Sequence, residues 1–236
     1  MLTAYRRFSL FISCFFIIFL FSCSKQNDQN SFKKLKTNTK SNESINLDKL
    51  NMNLQAADQK LTPKLVQKND GSFFYTYFKK PGEGEIDLEE IKKRISLGSK
   101  FYNNDRKNVM SLLKRINELK INNKLNKIEN GALGLWIPKR DLIVIDYRVI
   151  NMGSPTFLDV LRHEVIHVAQ SCFSGSRKNF PKRIGLPLEF SKKINLNLSH
   201  KVYRQNPKEV MDLEREAFTY SKVDGAAIKL LNKFCK

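Results

Sequence analysis

Residues 154–171 read SPTFLDVLRHEVIHVAQS, and the rest of the chain must be arranged around this stretch. Its apolar residues fall on most sides of a helical wheel, a pattern typical of a buried central helix. Ser154 suits the N-cap of such a helix, and Pro155 suits its first turn. We therefore expect a helix from Ser154 to about Ser171 that other elements cover on most sides.

The predicted helix contains two histidines four residues apart, His163 and His167, and Glu164 lies between them. Residues four apart share one face of a helix, so both imidazoles can bind one metal ion. Glu164 is rotated by about 100 degrees from His163, where a base can take a proton from water at such an ion. The alternative is a pair of core histidines, but it would bury the Glu164 carboxylate without a partner, which is costly.

At these residues the chain resembles the zincin metallopeptidases, over roughly residues 131–223. The resemblance implies a Zn²⁺ cofactor and an α+β, zincin-like fold. In that fold a small mixed or antiparallel sheet places an edge strand against the buried HExxH helix, with further helices around them. The metzincin branch requires a histidine where this chain has Phe173, which excludes that branch. The gluzincin-like branch takes a glutamate from a later helix, often within Glu-x-x-Ala, and residues 214–217 (EREA) match that pattern.

Helical periodicity separates the two carboxylates of that segment. Four apolar residues lie within about 60 degrees of Glu214 on a helical wheel: Val210, Met211, Ala217 and Phe218. Glu216 falls on the opposite side among charged residues, so we expect it to be solvated. Glu214 is therefore the expected third metal ligand, and Glu216 is the alternative.

Two polar side chains before that helix are further candidates, His200 and Tyr203. His200 could replace Glu214 on the metal, or it could donate a hydrogen bond to the oxyanion of the reaction. Tyr203 could also act as an oxyanion stabiliser. The simpler interpretation, surface residues of a polar loop, stays open for both.

The segment before the motif helix predicts two strands joined by a turn. Apolar residues alternate over residues 133–137, a turn follows at residues 138–141, and a second apolar run covers Leu142–Asp146. We expect Leu142–Asp146 to form the sheet edge to which an extended peptide substrate adds. An aromatic strand and four helices complete the predicted domain, at residues 72–78, 86–97, 105–119, 206–223 and 226–234.

Residues 1–23 are typical of a secretory signal peptide. The basic pair Arg6-Arg7 precedes an apolar run over residues 8–21, which is too short to span a membrane comfortably. Residues 20–23 (LFSC) resemble a bacterial lipobox, and Cys23 is the candidate lipid-bearing residue. The bulky phenylalanine of this tetrapeptide leaves an uncleaved anchor as an alternative. We therefore expect an exported protein attached to a membrane of the bacterial cell envelope, on the periplasmic face.

The polar residues that follow the signal predict a tether. Residues 24–70 are rich in Asn, Lys, Ser and Gln, a composition typical of disorder. A helix within residues 47–65 stays open, and the folded domain is expected at residues 71–236. Cys172 and Cys235 remain after the signal, and in an exported domain they favour a disulfide over two unpaired thiols.

The net charge of +19 is spread along the whole chain, and no nucleic-acid-binding motif accompanies it. We therefore expect no nucleic-acid partner. The expected function is a zinc-dependent metallopeptidase or amide hydrolase that acts on a peptide or protein substrate. Two alternatives stay open: an exported lipoprotein that binds zinc structurally without catalysis, and a basic envelope-binding module.

Overall fold

The computed structural model describes residues 44–77, 86–129, 132–199 and 206–236. The predicted signal peptide with Cys23, and the two oxyanion candidates His200 and Tyr203, lie outside the described residues. No helix in the described part of the chain combines the length and the apolar character that a membrane span needs.

Helices form most of the described regular structure. The α-helices are α1 (Leu47–Leu61), α2 (Leu88–Leu97), α3 (Asn103–Glu118), α4 (Ser154–Phe173), α5 (Lys192–Leu198), α6 (Lys208–Ser221) and α7 (Ala226–Phe234). The strands are β1 (Lys64–Gln67), β2 (Phe73–Thr76), β3 (Asn122–Asn126), β4 (Gly134–Ile137) and β5 (Leu142–Asp146). This mixture confirms the α+β class expected from the sequence.

The three-stranded sheet next to the motif helix has the order β3-β5-β4. β5 pairs in parallel with β3 and antiparallel with β4, so it is the central strand. The prediction that Leu142–Asp146 forms the sheet edge is therefore wrong. All five residues of β5 are buried, as expected of a strand that is apolar on both faces, whereas β4 alternates between buried and partly buried residues. Among the described strands, β4 is the edge on the side away from β3.

The motif helix α4 lies in the middle of the fold, as predicted. It packs against α3, α6, α7 and β4, and most of its residues are buried. β4 is fixed to it by the Trp136 indole N–H, which donates to Ser171 Oγ at 2.9 Å. Ser154 is already the first helical residue and Gly153 is the N-cap, so the helix begins one position earlier than predicted.

Helix α1 brings part of the predicted tether into the folded domain. Leu50 and Leu54 belong to the main apolar cluster, together with residues of α3, α4 and β5. The structure thus places Ile45 and α1 in the domain rather than in a disordered segment. Few residues here are apolar, but they recur at helical spacing, and an average over the composition does not detect that periodicity.

A buried carboxylate on α1 caps the motif helix. Asp58 accepts hydrogen bonds from Ser154 N–H at 2.7 Å and from the Ser154 hydroxyl at 2.6 Å. It also forms an ion pair with Arg106 of α3. A carboxylate at a helix N-terminus satisfies unpaired N–H groups and favours the helix dipole. Asp58 therefore joins α1, α3 and α4 at one point.

We expect Asp58→Ala to lower the free energy of unfolding by about 3–5 kcal/mol, because it leaves the Arg106 guanidinium buried without its counter-charge. Urea denaturation of the protein produced without residues 1–23 measures the loss. Asp48→Ala is the control, since Asp48 lies exposed in the first turn of the same helix. That change should cost less than about 1 kcal/mol. Equal denaturation midpoints for the two variants would contradict the capping role.

The predicted disulfide between Cys172 and Cys235 is present, with the two Cα atoms 5.3 Å apart. It joins the last turn of α4 to the residue that follows α7. The bond closes a loop over a sequence separation of 63 residues. In the chain-entropy model a loop of this size corresponds to about 4 kcal/mol of stabilisation.

Candidate metal centre

Three buried side chains from two helices converge beside the sheet. His163 and His167 lie one turn apart on α4, and Glu214 reaches them from α6. The two Nε2 atoms are 3.1 Å apart, and each is 3.3 Å from Glu214 Oε2. The three ligand atoms could hold a metal ion. In tetrahedral Zn²⁺ coordination with bonds of about 2.0 Å, neighbouring ligand atoms lie about 3.3 Å apart, so the spacing suits such an ion.

The charges of the three groups suit a cation. Burial lowers the pKa of His163 to about 4, so this imidazole is neutral at pH 7. Burial opposes ionisation of Glu214, but the two neighbouring histidines outweigh it and lower the pKa of that carboxyl to about 2. For His167 burial also favours the neutral form, but the Glu214 charge and other polar partners raise its pKa. The site thus offers an ionised carboxylate and at least one neutral imidazole at neutral pH.

Glu164 lies beside the three ligands and is fully buried. Among the described residues, neither of its carboxylate oxygens has a hydrogen bond of ordinary geometry. Burial, followed by the Glu214 charge, raises its pKa well above the usual value, and the main-chain N–H of Trp136 opposes this only in part. A buried carboxylate that lacks well-formed hydrogen bonds is rare, and such a group is a candidate to face a cation, a water molecule or a substrate group.

Strand β4 approaches Glu164 closely because its first residue is a glycine. A Cβ added at Gly134 would lie 2.4 Å from Glu164 Oε1 and 2.8 Å from Val160 Cγ1. A side chain at this position would therefore displace the carboxylate or the strand. Isolated glycines in strands often mark such close approaches, but the sequence analysis did not use this signal.

The prediction that Glu216 is solvated is wrong, because its side chain is fully buried. Its carboxylate accepts hydrogen bonds from the main-chain N–H groups of Ile184, Gly185 and Leu186. These residues belong to the irregular segment between α4 and α5, which covers the side of α6 that the helical wheel left exposed. A wheel reports only the local helix, so it cannot predict this cover.

The sequence analysis also missed Gln170, whose Oε1 lies 2.7 Å from His167 Nδ1. Its position three residues after His167 was an available signal, since residues three apart are neighbours on a helix. Histidine ligands commonly donate their second ring N–H to a nearby acceptor.

Of the predicted site residues, the structure brings together His163, His167, Glu214 and Glu164. His200 and Tyr203 fall in the stretch between Ser199 and Asn206, which the structure does not describe. Comparisons of the chain with family models, with curated protein sequences and with solved structures give no match.

Proposed function

We propose that this chain is a zinc-dependent metallopeptidase or amide hydrolase with a zincin-like fold. The observation that carries the proposal is the buried Glu164 carboxylate, which has no hydrogen bond of ordinary geometry among the described residues, beside a group of two histidines and a glutamate. A purely structural metal site has no use for an unpaired carboxylate at its edge, whereas a hydrolytic site requires a base there.

The ligand set supports a catalytic site rather than a structural one. Catalytic zinc sites use three protein ligands and keep a fourth position open, whereas structural sites take four protein ligands. In the described ranges, the group contains three ligands: His163, His167 and Glu214. Two imidazoles and one carboxylate match the donors found at hydrolytic zinc centres. A zinc ion, when bound, polarises the substrate carbonyl and makes water more acidic.

The protein side chains then have separate roles. Glu164 accepts the proton of the attacking water and delivers it to the leaving nitrogen of the amide. A cation on the three ligands favours the ionised form of Glu164, which offsets the effect of burial on its pKa. Gly134 keeps β4 close enough to cover this carboxylate.

Substrate binding is proposed along β4, the edge strand next to α4. An extended peptide can add to a sheet edge through main-chain hydrogen bonds, and this places a peptide bond next to the site. Residues 1–23 support, within the same proposal, export and membrane attachment through Cys23.

Removal of metal tests the proposal. We expect the protein without residues 1–23 to bind about one zinc per chain and to cleave members of a quenched peptide library. Dialysis against a chelator should abolish cleavage, and stoichiometric Zn²⁺ should restore it, while Mg²⁺ should not, because Mg²⁺ prefers oxygen ligands. Cleavage that survives complete metal removal would contradict the proposal. Bound zinc without cleavage of any peptide would favour the structural alternative.

A further inference from the structure

The side-chain amide of Gln170 has only one favourable orientation. Its Nε2 donates to Glu216 Oε2 at 2.9 Å and to the Leu213 main-chain oxygen at 3.3 Å. The reversed amide would place its oxygen against these two acceptors. Gln170 Oε1 must therefore be the atom that faces His167 Nδ1.

This orientation determines which nitrogen of the neutral His167 ring carries the proton. An amide oxygen can only accept, so His167 Nδ1 must be the protonated donor in their 2.7 Å contact. His167 Nε2 then presents its lone pair to the point where His163 Nε2 and Glu214 Oε2 converge. The other tautomer would place an N–H at that point and could not bind a metal there.

Glu216 anchors the orientation because its carboxylate can only accept. Besides Gln170, it accepts from the Ile184 N–H at 2.8 Å and from the Gly185 and Leu186 N–H groups at 2.9 Å. These donors lie in one loop and surround both oxygens. The loop therefore holds the carboxylate in place, and the carboxylate holds the Gln170 amide.

We propose that Glu216 and Gln170 are positioning residues that set the metal-binding tautomer of His167 through a hydrogen-bond chain beginning at residues 184–186. The inference rests on the proposed metal site but does not require catalysis. It also connects the irregular segment after α4 to the metal centre, since a shift of this loop would move the Glu216 carboxylate that orients Gln170.

Glu216→Gln is the first test, because it keeps the size of the side chain and replaces one acceptor with a donor. The new NH₂ group faces donors in either orientation, because the Ile184, Gly185 and Leu186 N–H groups and Gln170 Nε2 surround both oxygen positions. When it takes the place of Oε2, its conflict with Gln170 Nε2 is removed if Gln170 turns its own NH₂ toward His167. Loss of outer partners of histidine ligands typically lowers metal affinity about 10- to 100-fold, and we expect a decrease of that size for Zn²⁺. Glu209→Gln is the control, because Glu209 is exposed on the same helix.

The exchange variant Gln170→Glu/Glu216→Gln separates positioning from general destabilisation. It preserves the net charge, and the new carboxylate at position 170 can accept from His167 Nδ1 and from the new amide at position 216. It gives up only the longer hydrogen bond to the Leu213 main-chain oxygen. We expect it to recover Zn²⁺ affinity relative to Glu216→Gln alone. An exchange variant that binds Zn²⁺ no better than the single variant would overturn the proposal.

Nitrogen-15 spectra of the histidine rings give a readout that is independent of hydrolysis. In the metal-free protein at alkaline pH, we expect His167 to be the Nδ1–H tautomer in the wild type and in the exchange variant. In Glu216→Gln the Nε2–H tautomer should increase. Unchanged tautomers and unchanged Zn²⁺ affinity in Glu216→Gln would overturn the proposal. The tautomers and the Zn²⁺ affinity can be measured even if no peptide is cleaved. Failure of the proposed function can therefore be distinguished from failure of this inference.

Discussion

Substituting Glu164 by glutamine should leave about one zinc ion bound per chain and lower the rate of peptide hydrolysis by about 100- to 10,000-fold. The amide has nearly the size of the carboxylate, so the ligands His163, His167 and Glu214 keep their positions. It cannot accept the proton of the attacking water, so the chemical step loses its base. Two measurements check this prediction. The bound zinc content tests whether the metal is retained, and the turnover number for a peptide found by library screening tests whether hydrolysis is lost.

The control for this variant is Glu89→Gln, the same substitution on an exposed carboxylate of α2. It should leave both turnover and zinc content unchanged. Equal turnover of Glu164→Gln and the wild type would show that Glu164 is not the base. A loss of zinc from Glu164→Gln would instead assign this carboxylate to metal binding.

Loss of any one metal ligand should lower both Zn²⁺ affinity and hydrolysis, whereas Glu164→Gln should lower hydrolysis alone. His163→Ala, His167→Ala and Glu214→Gln should each lower Zn²⁺ affinity by more than the roughly 100-fold that loss of an outer partner causes, because each removes a bond to the ion. Hydrolysis should fall with metal content. Competition with a chromogenic chelator measures affinity, and circular dichroism verifies that each variant is folded.

His200, the third histidine of the chain, provides the comparison for the three ligand substitutions. His200→Ala should retain stoichiometric zinc if Glu214 is the third ligand. If His200→Ala loses zinc and Glu214→Gln retains it, His200 rather than Glu214 is the third metal ligand. Retained stoichiometric zinc in His163→Ala or His167→Ala would contradict the metal centre itself.

The sequence predicted those parts of the site that depend on one helix at a time. The spacing of His163 and His167 within an apolar stretch predicted a buried helix with both imidazoles on one face. Apolar neighbours at helical spacing predicted that Glu214 faces the core. In both cases the local period of the helix carries the information.

The parts that could not be predicted depend on contacts between distant segments. Glu216 is buried only because residues 184–186 fold over α6. Leu142–Asp146 becomes the central strand because β3 pairs with it in parallel from twenty residues earlier in the chain. The short, polar β3 carries a weak strand pattern of its own, since only two of its five residues are apolar or deeply buried. The position of this strand in the sheet thus depends on tertiary pairing, which the local sequence pattern does not report.

The packing of α1 on the core also limits how far the proposed enzyme can reach. If Cys23 carries the lipid, Ile45, the first buried residue of the described domain, lies twenty-two positions after the membrane attachment. A chain of that length spans at most about 75–80 Å when fully extended. A tether that continued to residue 70 would allow roughly twice this radius. The proposed lipoprotein would therefore act on substrates close to the membrane surface to which it is attached, and proximity to that surface would contribute to its selectivity.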